Sequence, residues 1–295
     1  MGKSYRLYKI ERKIIPYLFL TPNLLIFGIF VIIPALYGVI YSFTNFDGLS
    51  KMDFIGLKNY INILHDHLFW QSFLRTTIYA IVVVPLIYIG ALGTALLLTQ
   101  KIAFRGIFRA IIYWPTMVSF IVVGLIWKWI FGDSFGVLNY LIELMGYKPI
   151  PWLSNGFNAN MTVVIASLWS RIGFYMVIFI AALESIPATY YEAAEIDGAS
   201  SVQRFFKITL PLLKPTSLLI IILSLIDAFK AFPLILALTG GGPGRDTTYV
   251  VQHIYEFAFT KTKMGYASAM SIILFFVIAI LTWLQFKAAR GGEIS

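Results

Sequence analysis

The 295-residue chain contains no cysteine. That absence excludes a disulfide framework and any thiolate metal site, and it removes the usual marker of redox compartment. Charge is nearly as scarce, at 13% of residues against 59% hydrophobic. A water-soluble fold typically carries about 25% charged residues, so lipid must be the solvent for much of this chain. The long apolar runs lack the alternation of barrel strands, which excludes that way of crossing a membrane. There is no tandem repeat and no low-complexity tail. A complete phosphate-cradling loop is also missing: Gly2, Lys3 and Ser4 offer only its tail, with no room for the earlier glycine or a preceding strand. Histidine is limited to His65, His67 and His253. A His-x-His pair without a third ligand does not make a metal site, and all three fall in segments expected to be solvated. No spacing of Ser, His and acidic residues forms a catalytic set, so the chain itself is expected to be neither an enzyme nor the holder of a metal or cofactor.

What is present is apolar length. Runs of roughly 20 residues or more match a helix crossing about 30 Å of hydrocarbon, and helices are forced there because unpaired backbone groups are prohibitive in lipid. Six spans are predicted, at 17–43, 73–99, 107–131, 161–185, 216–238 and 266–287. The first follows a basic stretch like that of a secretion signal, but it is long, holds Pro22 and Pro34, and lacks a small-residue cleavage site, so it is expected to be retained. Lys and Arg mark the cytoplasmic side. They crowd the ends and the segments after even-numbered spans: Lys3, Arg6, Lys9, Arg12 and Lys13, then Lys101, Arg105 and Arg109, then Arg204, Lys207 and Lys214, then Lys287 and Arg290. Both termini are therefore expected in the cytoplasm, and Trp127 and Trp129 at an outer interfacial belt. This bias accounts for most of the net charge of +9, and no nucleic-acid partner is expected.

The external segments 44–72, 132–160 and 239–265 are long enough for short helices, and the last opens with the helix-ending run Gly240–Gly244. The cytoplasmic connections are short except between the fourth and fifth spans. There Pro187 stops a helix, Thr189 with Glu192 has capping-box spacing, Asp197 and Gly198 form a stop, Ser200 with Gln203 repeats the box, and Pro211 and Pro215 admit the next span. The expectation is a helix, tight turn, helix hairpin of about 20 residues. Its apolar members, Ala193, Ala194, Ile196, Ala199, Val202, Phe205 and Phe206, either pack beneath the spans or form a docking knob; periodicity does not separate the two.

Residues Glu192 to Pro211 read EAAEIDGASSVQRFFKITLP. This resembles the cytoplasmic signature of permeases of binding-protein-dependent ABC importers: EAA, three residues, G, nine residues, I, one residue, LP. Glu192, Ala193, Ala194, Gly198, Ile208, Leu210 and Pro211 fill its fixed positions. The softer stretches Phe54–Tyr60 (FIGLKNY), Leu238–Gly244 (LTGGGPG) and Met264–Met270 (MGYASAM) resemble the sugar-permease, maltose-type branch. The resemblance implies an all-α multi-pass membrane protein forming one permease domain over 1–295. Its parts would be a cytoplasmic segment at 1–16, a core at 73–287 and a coupling loop at 189–211. It further implies a bacterial-type plasma membrane, a second homologous permease, two nucleotide-binding subunits that hold ATP and magnesium, and an extracytoplasmic solute-binding protein. The coupling residues would be Glu192, Ala193, Ala194, Asp197, Gly198, Arg204, Phe205, Ile208, Leu210 and Pro211. The cargo would be a sugar or oligosaccharide, with glycerol phosphate or another small polar solute as the alternative.

Ionisable groups within spans need a partner or a watery cavity. Arg171 falls in the fourth span, and Asp227 and Lys230 in the fifth at a helical spacing of three. Asp227 neutralises Lys230 or Arg171 to hold helices together, or the three line a path where they bind solute hydroxyls and Trp169, Phe174, Tyr175, Phe229 and Phe232 stack on sugar faces. Glu184, at the cytoplasmic end of the fourth span, is expected to be hydrated. Two rival classes remain open at this point. One is a secondary transporter with Asp227 as its ion site; the other is a structural membrane subunit.

Overall fold

The structure, a computed structural model, describes residues 15, 17–49, 52–100 and 102–290. The basic residues Lys3, Arg6, Lys9, Arg12, Lys13, Lys51 and Lys101, the Gly2–Ser4 run and the side chain of Arg290 lie outside the described residues. Among the described residues the chain is helical, with a single isolated bridge between Thr44 and Phe54 and no longer strand. Two compact units are present, one holding the described residues up to His65 with Ile254–Leu274, the other Asp66–His253 with the described residues from Phe275.

The first unit is built on α1 (Tyr17–Ser42), whose apolar window is wholly unburied, the condition of a helix that leaves its surface to lipid or to another chain. One wide turn, Gly28–Ile32, interrupts it ahead of Pro34, whose missing N–H cannot return to the carbonyl four residues back. After Ser42 the backbone needs acceptors satisfied, and Asn59, at the start of α2 (Lys58–Leu64), supplies its buried amide to the carbonyls of Ser42 at 2.9 Å and Thr44 at 2.8 Å. Asn59 thus gives the FIGLKNY stretch a structural task, and Tyr60 adds a bond to Ser42 Oγ at 2.8 Å. Gly265 approaches so closely that a Cβ would overlap the Thr44 carbonyl.

The second unit is centred on α3 (His67–Thr99). It starts six residues earlier than predicted because Asp66 caps it, accepting from Leu68 N at 3.0 Å and Phe69 N at 3.1 Å. The span predicted at 107–131 is instead two helices bent by 102°, α4 (Arg105–Tyr113, running on as a tight 3-10 turn to Met117) and α5 (Phe120–Ile130). Pro115 and the extended Ser119, which caps Val122, break the run. At 11 residues, or about 16 Å, α5 is too short to cross alone. A short α6 (Val137–Leu144) precedes α7 (Gly156–Glu184), capped by Asn155. Then follow α8 (Ala188–Ile196), α9 (Ser201–Leu212, with a wide turn at Phe205–Thr209) and α10 (Lys214–Phe229), the last two meeting at a 66° bend.

The fifth predicted span also breaks. Pro233 cannot donate to Phe229, and it holds Phe232 outside helical geometry at φ −150°, so the chain restarts as α11 (Pro233–Leu238). Lys230 is consequently the C-cap of α10; its N–H still bonds the Ile226 carbonyl at 3.1 Å, and it lines one cavity with Asp227. The short α12 (Val250–Tyr255) and long α13 (Met264–Arg290) complete the order. Among the described residues four helices are long and apolar enough to span, and up to six spans result if each bent pair counts as one.

α3 and α7 pack along most of their lengths. Among their buried positions are many small residues, Ser72, Thr76, Ala80, Ala91 and Ala95 on α3 and Ala159, Ala166, Ser170 and Gly173 on α7, interleaved with larger ones such as Ile87 and Phe179. Small side chains let helices approach where apolar surface alone gives no drive. At Gly173 a Cβ would collide with the Ile112 carbonyl, and at Gly124 one would sit 2.6 Å from the Leu234 carbonyl, which locks α4 to α7 and α5 to α11.

Candidate functional site

Two parts of the second unit present chemistry. The first is a cavity of about 270 Å³, walled by α3, α5, α7, α10 and the Lys230–Ile235 break. Arg171 Nη1 lies 2.9 Å from Asp227 Oδ2, and both side chains keep partial exposure, 29% and 37%. Tyr175 donates to the same Asp227 oxygen at 3.0 Å, and the Arg171 guanidinium sits 4.3 Å over the Phe120 ring. Hydroxyls complete the lining. Tyr79 donates to Ser167 at 2.8 Å, while Ser170 and Ser224 bond back to their own helices.

Of the residues predicted for a path, Arg171, Asp227, Lys230 and Phe232 line this cavity. Tyr175 reaches it only through its hydroxyl bond to Asp227. Phe229 is buried against Phe73 with ring centres 5.9 Å apart, and Phe174 points to an exposed face beside Tyr175. Trp169 packs edge-on against Trp127, so Trp127 belongs to an internal cluster while Trp129 is exposed. Sequence reading missed Tyr79, Phe120, Ser167, Ser170 and Ser224. A signal existed for three of them: Ser167, Ser170 and Arg171 share one helical face, as do Ser224 and Asp227.

The second part is the hairpin of α8 and α9. Its turn is a complete Schellman closure: Gly198 N–H donates to the Glu195 carbonyl at 3.1 Å and Ala199 N–H to that of Ala194 at 2.8 Å, with Gly198 at φ +75°. The capping box at Ser200 and Gln203 forms in both directions, at 3.3 Å and 2.8 Å. The box predicted at Thr189 and Glu192 does not form, because the helix begins two residues sooner, at Ala188, with the extended Pro187 as its cap. Arg204 pairs with Glu195 at 3.2 Å across the hairpin, and Tyr191 and Thr209 share a hydroxyl bond at 2.9 Å.

Water meets an apolar tip there: Ile196 is 87% exposed, Val202 66% and Phe206 60%. Glu192, Ala193, Asp197 and Pro211 are exposed too, whereas Ala194, Arg204, Phe205, Ile208 and Leu210 are half-buried. Beneath them Arg109 ties Glu184 at 2.8 Å and the Leu98 carbonyl at 3.0 Å, so Glu184 is paired as well as hydrated.

His253 is fully buried, contrary to the solvated position expected, with Arg245 Nη2 3.0 Å from Nδ1 and Asp66 3.9 Å from Nε2. The glycine run ahead of it is held by Thr247 and Thr248, which donate to the Gly242 and Gly241 carbonyls at 2.7 Å and 3.1 Å, and by Gln252, which donates to Gly240 at 2.9 Å.

Residues 90–290 match the family described as the inner membrane component of binding-protein-dependent transport systems. The trehalose/maltose transport system permease protein MalF of Thermococcus litoralis is 35% identical over 276 residues, 93% of each chain. The probable starch degradation products transport system permease protein AmyD of Thermoanaerobacterium thermosulfurigenes is 35% identical over 94% of each. The sn-glycerol-3-phosphate transport system permease protein UgpA of Yersinia enterocolitica is 34% identical over 92% of this chain and 93% of its own. Among solved structures, a chain of a bacterial ABC transporter that imports the acidic polysaccharide alginate superposes with a TM-score of 0.85 at 22% identity, covering 98% of this chain and 99% of that one.

Proposed function

Because this chain belongs to the family of inner-membrane permease components of binding-protein-dependent ABC transporters, we propose that it moves a sugar or short oligosaccharide inward through the Arg171–Asp227 cavity. The engine would be ATP hydrolysis in partner subunits gripped by the α8–α9 hairpin. The observation that carries the coupling role is the exposed apolar tip on a rigidly capped, cross-braced hairpin. A loop needing only solvation has no reason to hold Ile196, Val202 and Phe206 in water. A partner that covered them would gain apolar burial, with Glu192 and Asp197 at the rim fixing register.

In this reading six crossings, with α4 and α5 together as one and α10 with α11 as another, leave both termini and the α8–α9 hairpin in the cytoplasm of a bacterial-type plasma membrane. A second permease completes the path, two nucleotide-binding subunits hold ATP and magnesium, and a solute-binding protein delivers cargo from outside. The hairpin continues directly into α7 on one side and through α9 into α10 on the other. Arg171 and Asp227 each lie 13 residues, roughly 20 Å of helix, from the hairpin-side ends Glu184 and Lys214. Tilting the hairpin would therefore shear the two halves of the ion pair past each other. In one state the pair is closed; in the other its carboxylate and guanidinium are freed for solute hydroxyls, which they bind in bidentate fashion. This is alternating access with its switch at the charged pair.

Neutralisation of Arg171 by Asp227 and the serine and tyrosine hydroxyls around them favour a neutral polyol over an anion. Lys230 on the same cavity favours the second reading, a glycerol phosphate cargo, which the UgpA relative transports by its name. Uptake of labelled maltose and labelled glycerol phosphate into vesicles holding the full transporter decides between them. Maltose uptake dependent on ATP and on the binding protein is expected, and phosphate-ester uptake alone would replace the sugar reading. Uptake by this chain without ATP, driven by an ion gradient, would overturn both.

A further inference from the structure

We propose that a groove between α3 and α7, separate from the charged cavity, holds a phospholipid whose headgroup is zwitterionic and carries a primary ammonium, as in phosphatidylethanolamine. This rests on the membrane-spanning character of the two helices and is independent of cargo. The groove encloses about 450 Å³ within the second unit. Along α3 it is lined by Arg75, Ile78, Tyr79 and Val82, one face at helical spacing; along α7 by Asn160, Met161 and Val164.

Polarity is graded along that face. Arg75 and Asp246 sit at the end where α3 and α7 begin, beside Phe157, Asn160 and Met161, and Ile78, Val82 and Val164 follow along the two helices, Val82 about 10 Å beyond Arg75. The two helices enter the bilayer side by side from the same end, so head and tail of a lipid would meet matching surfaces at matching depths. The groove's two tyrosine hydroxyls are already bonded, Tyr79 to Ser167 and Tyr249 to Asn160, so the surface beyond Arg75 and Asp246 offers mainly hydrocarbon, which suits an acyl chain better than a polar solute.

The charges specify the headgroup. Arg75 Nη1 is shut off from solvent and has no hydrogen-bond partner among the described residues, a state that calls for a ligand. Its Nη2 lies 3.9 Å from Asp246 Oδ1, too far for a hydrogen bond, and the carboxylate is about half exposed. Asp246 is itself held at the beginning of α7, so close that a Cβ on Gly156 would overlap it, and the helix dipole favours its charge there. A phosphate against Arg75 with an ammonium against Asp246 satisfies both. A purely anionic headgroup would meet repulsion from Asp246, and a quaternary ammonium could donate no hydrogen bond to it.

The test is native mass spectrometry of the full chain released from mild detergent, titrated separately with phosphatidylethanolamine, phosphatidylglycerol and phosphatidylcholine. Expected is retention of phosphatidylethanolamine well above the other two. Arg75→Gln should lower it roughly tenfold, the scale of one charge-assisted hydrogen bond, and Asp246→Asn should remove the preference over phosphatidylcholine. Met161→Trp, which fills the groove and leaves the charges intact, should also lower retention, so a misfolded charge variant cannot mimic the result. Equal retention of all three lipids, a preference for phosphatidylglycerol, or retention unchanged in Arg75→Gln would each overturn the proposal.

Discussion

The charged cavity and the α8–α9 hairpin each carry side chains at odds with the helices around them, in opposite senses. Within helices otherwise suited to lipid, Arg171 and Asp227 place full charges, and the structure resolves the conflict internally through a 2.9 Å pair, a tyrosine hydroxyl and the face of Phe120. On the hairpin, Ile196, Val202 and Phe206 leave hydrocarbon exposed, and among the described residues nothing covers it. The cavity's conflict closes within the chain, which suits a site whose partners can be exchanged for a solute. That of the hairpin stays open, which suits a surface awaiting another subunit. Backbone bracing is concentrated on the hairpin, by Schellman closure and capping box, which hold its shape while its surface stays exposed.

The most severe way to break this contrast is to remove the exposed hydrocarbon. Ile196→Asp with Phe206→Asp should leave the chain's own thermal stability nearly unchanged, since neither side chain is buried. Co-purification with the ATPase subunits should nevertheless fall by two to three orders of magnitude, at roughly 2 kcal/mol for each anchoring residue; retained assembly would mean that the tip is only a solvated face. Next in size is Gly198→Val. No atom lies within 4 Å of a Cβ built there, so its effect comes from forcing a β-branched residue to φ +75°, about 1–2 kcal/mol. Uptake should drop at least tenfold with normal membrane insertion, and unaltered uptake would show that the turn geometry is dispensable.

Asp227→Asn sharpens the other side. It leaves the Arg171 charge without its carboxylate and should cost about 1–3 kcal/mol of thermal stability. Adding Arg171→Gln should restore part of that stability without restoring solute affinity; if the double variant transports normally, the pair only joins helices. The smallest effect is expected for Ser200→Ala, which removes one cap at about 1 kcal/mol. It should appear as faster amide exchange confined to the start of α9, and no change there would mean the box is redundant with the Arg204–Glu195 brace.

Legibility in the sequence followed the range of the interaction. Asp197, Gly198, Ser200 and Gln203 announced the turn and the second cap correctly because their partners lie within a few residues. Thr189 misled, since Pro187 stands at the cap two positions earlier. The third and fifth spans were drawn straight through Pro115 and Pro233 because hydropathy counts both sides of a break alike. Lys230 lines the cavity with Asp227, as the spacing of three implied, but as the last residue before a break rather than inside a span. Phe229, Phe174 and Trp169 were grouped with the path for being aromatic and nearby, yet each is claimed by packing or by an outer face. The bond between Tyr79 and Ser167, 88 residues apart, and that between Tyr175 and Asp227, 52 apart, left no local trace.

The sequence by itself determined that this chain lives in lipid, how many apolar segments it offers, and where its capped hairpin turns. Those properties follow from transfer free energies and from hydrogen bonds closed within one or two helical turns. Only the tertiary structure decided which carboxylate meets Arg171, where two of the spans break, and which side chains the cavity keeps. A helix fixes the direction of a side chain about its own axis but carries no information on which other helix will lie against it, and that choice is made by the close approach of small residues far apart in the chain.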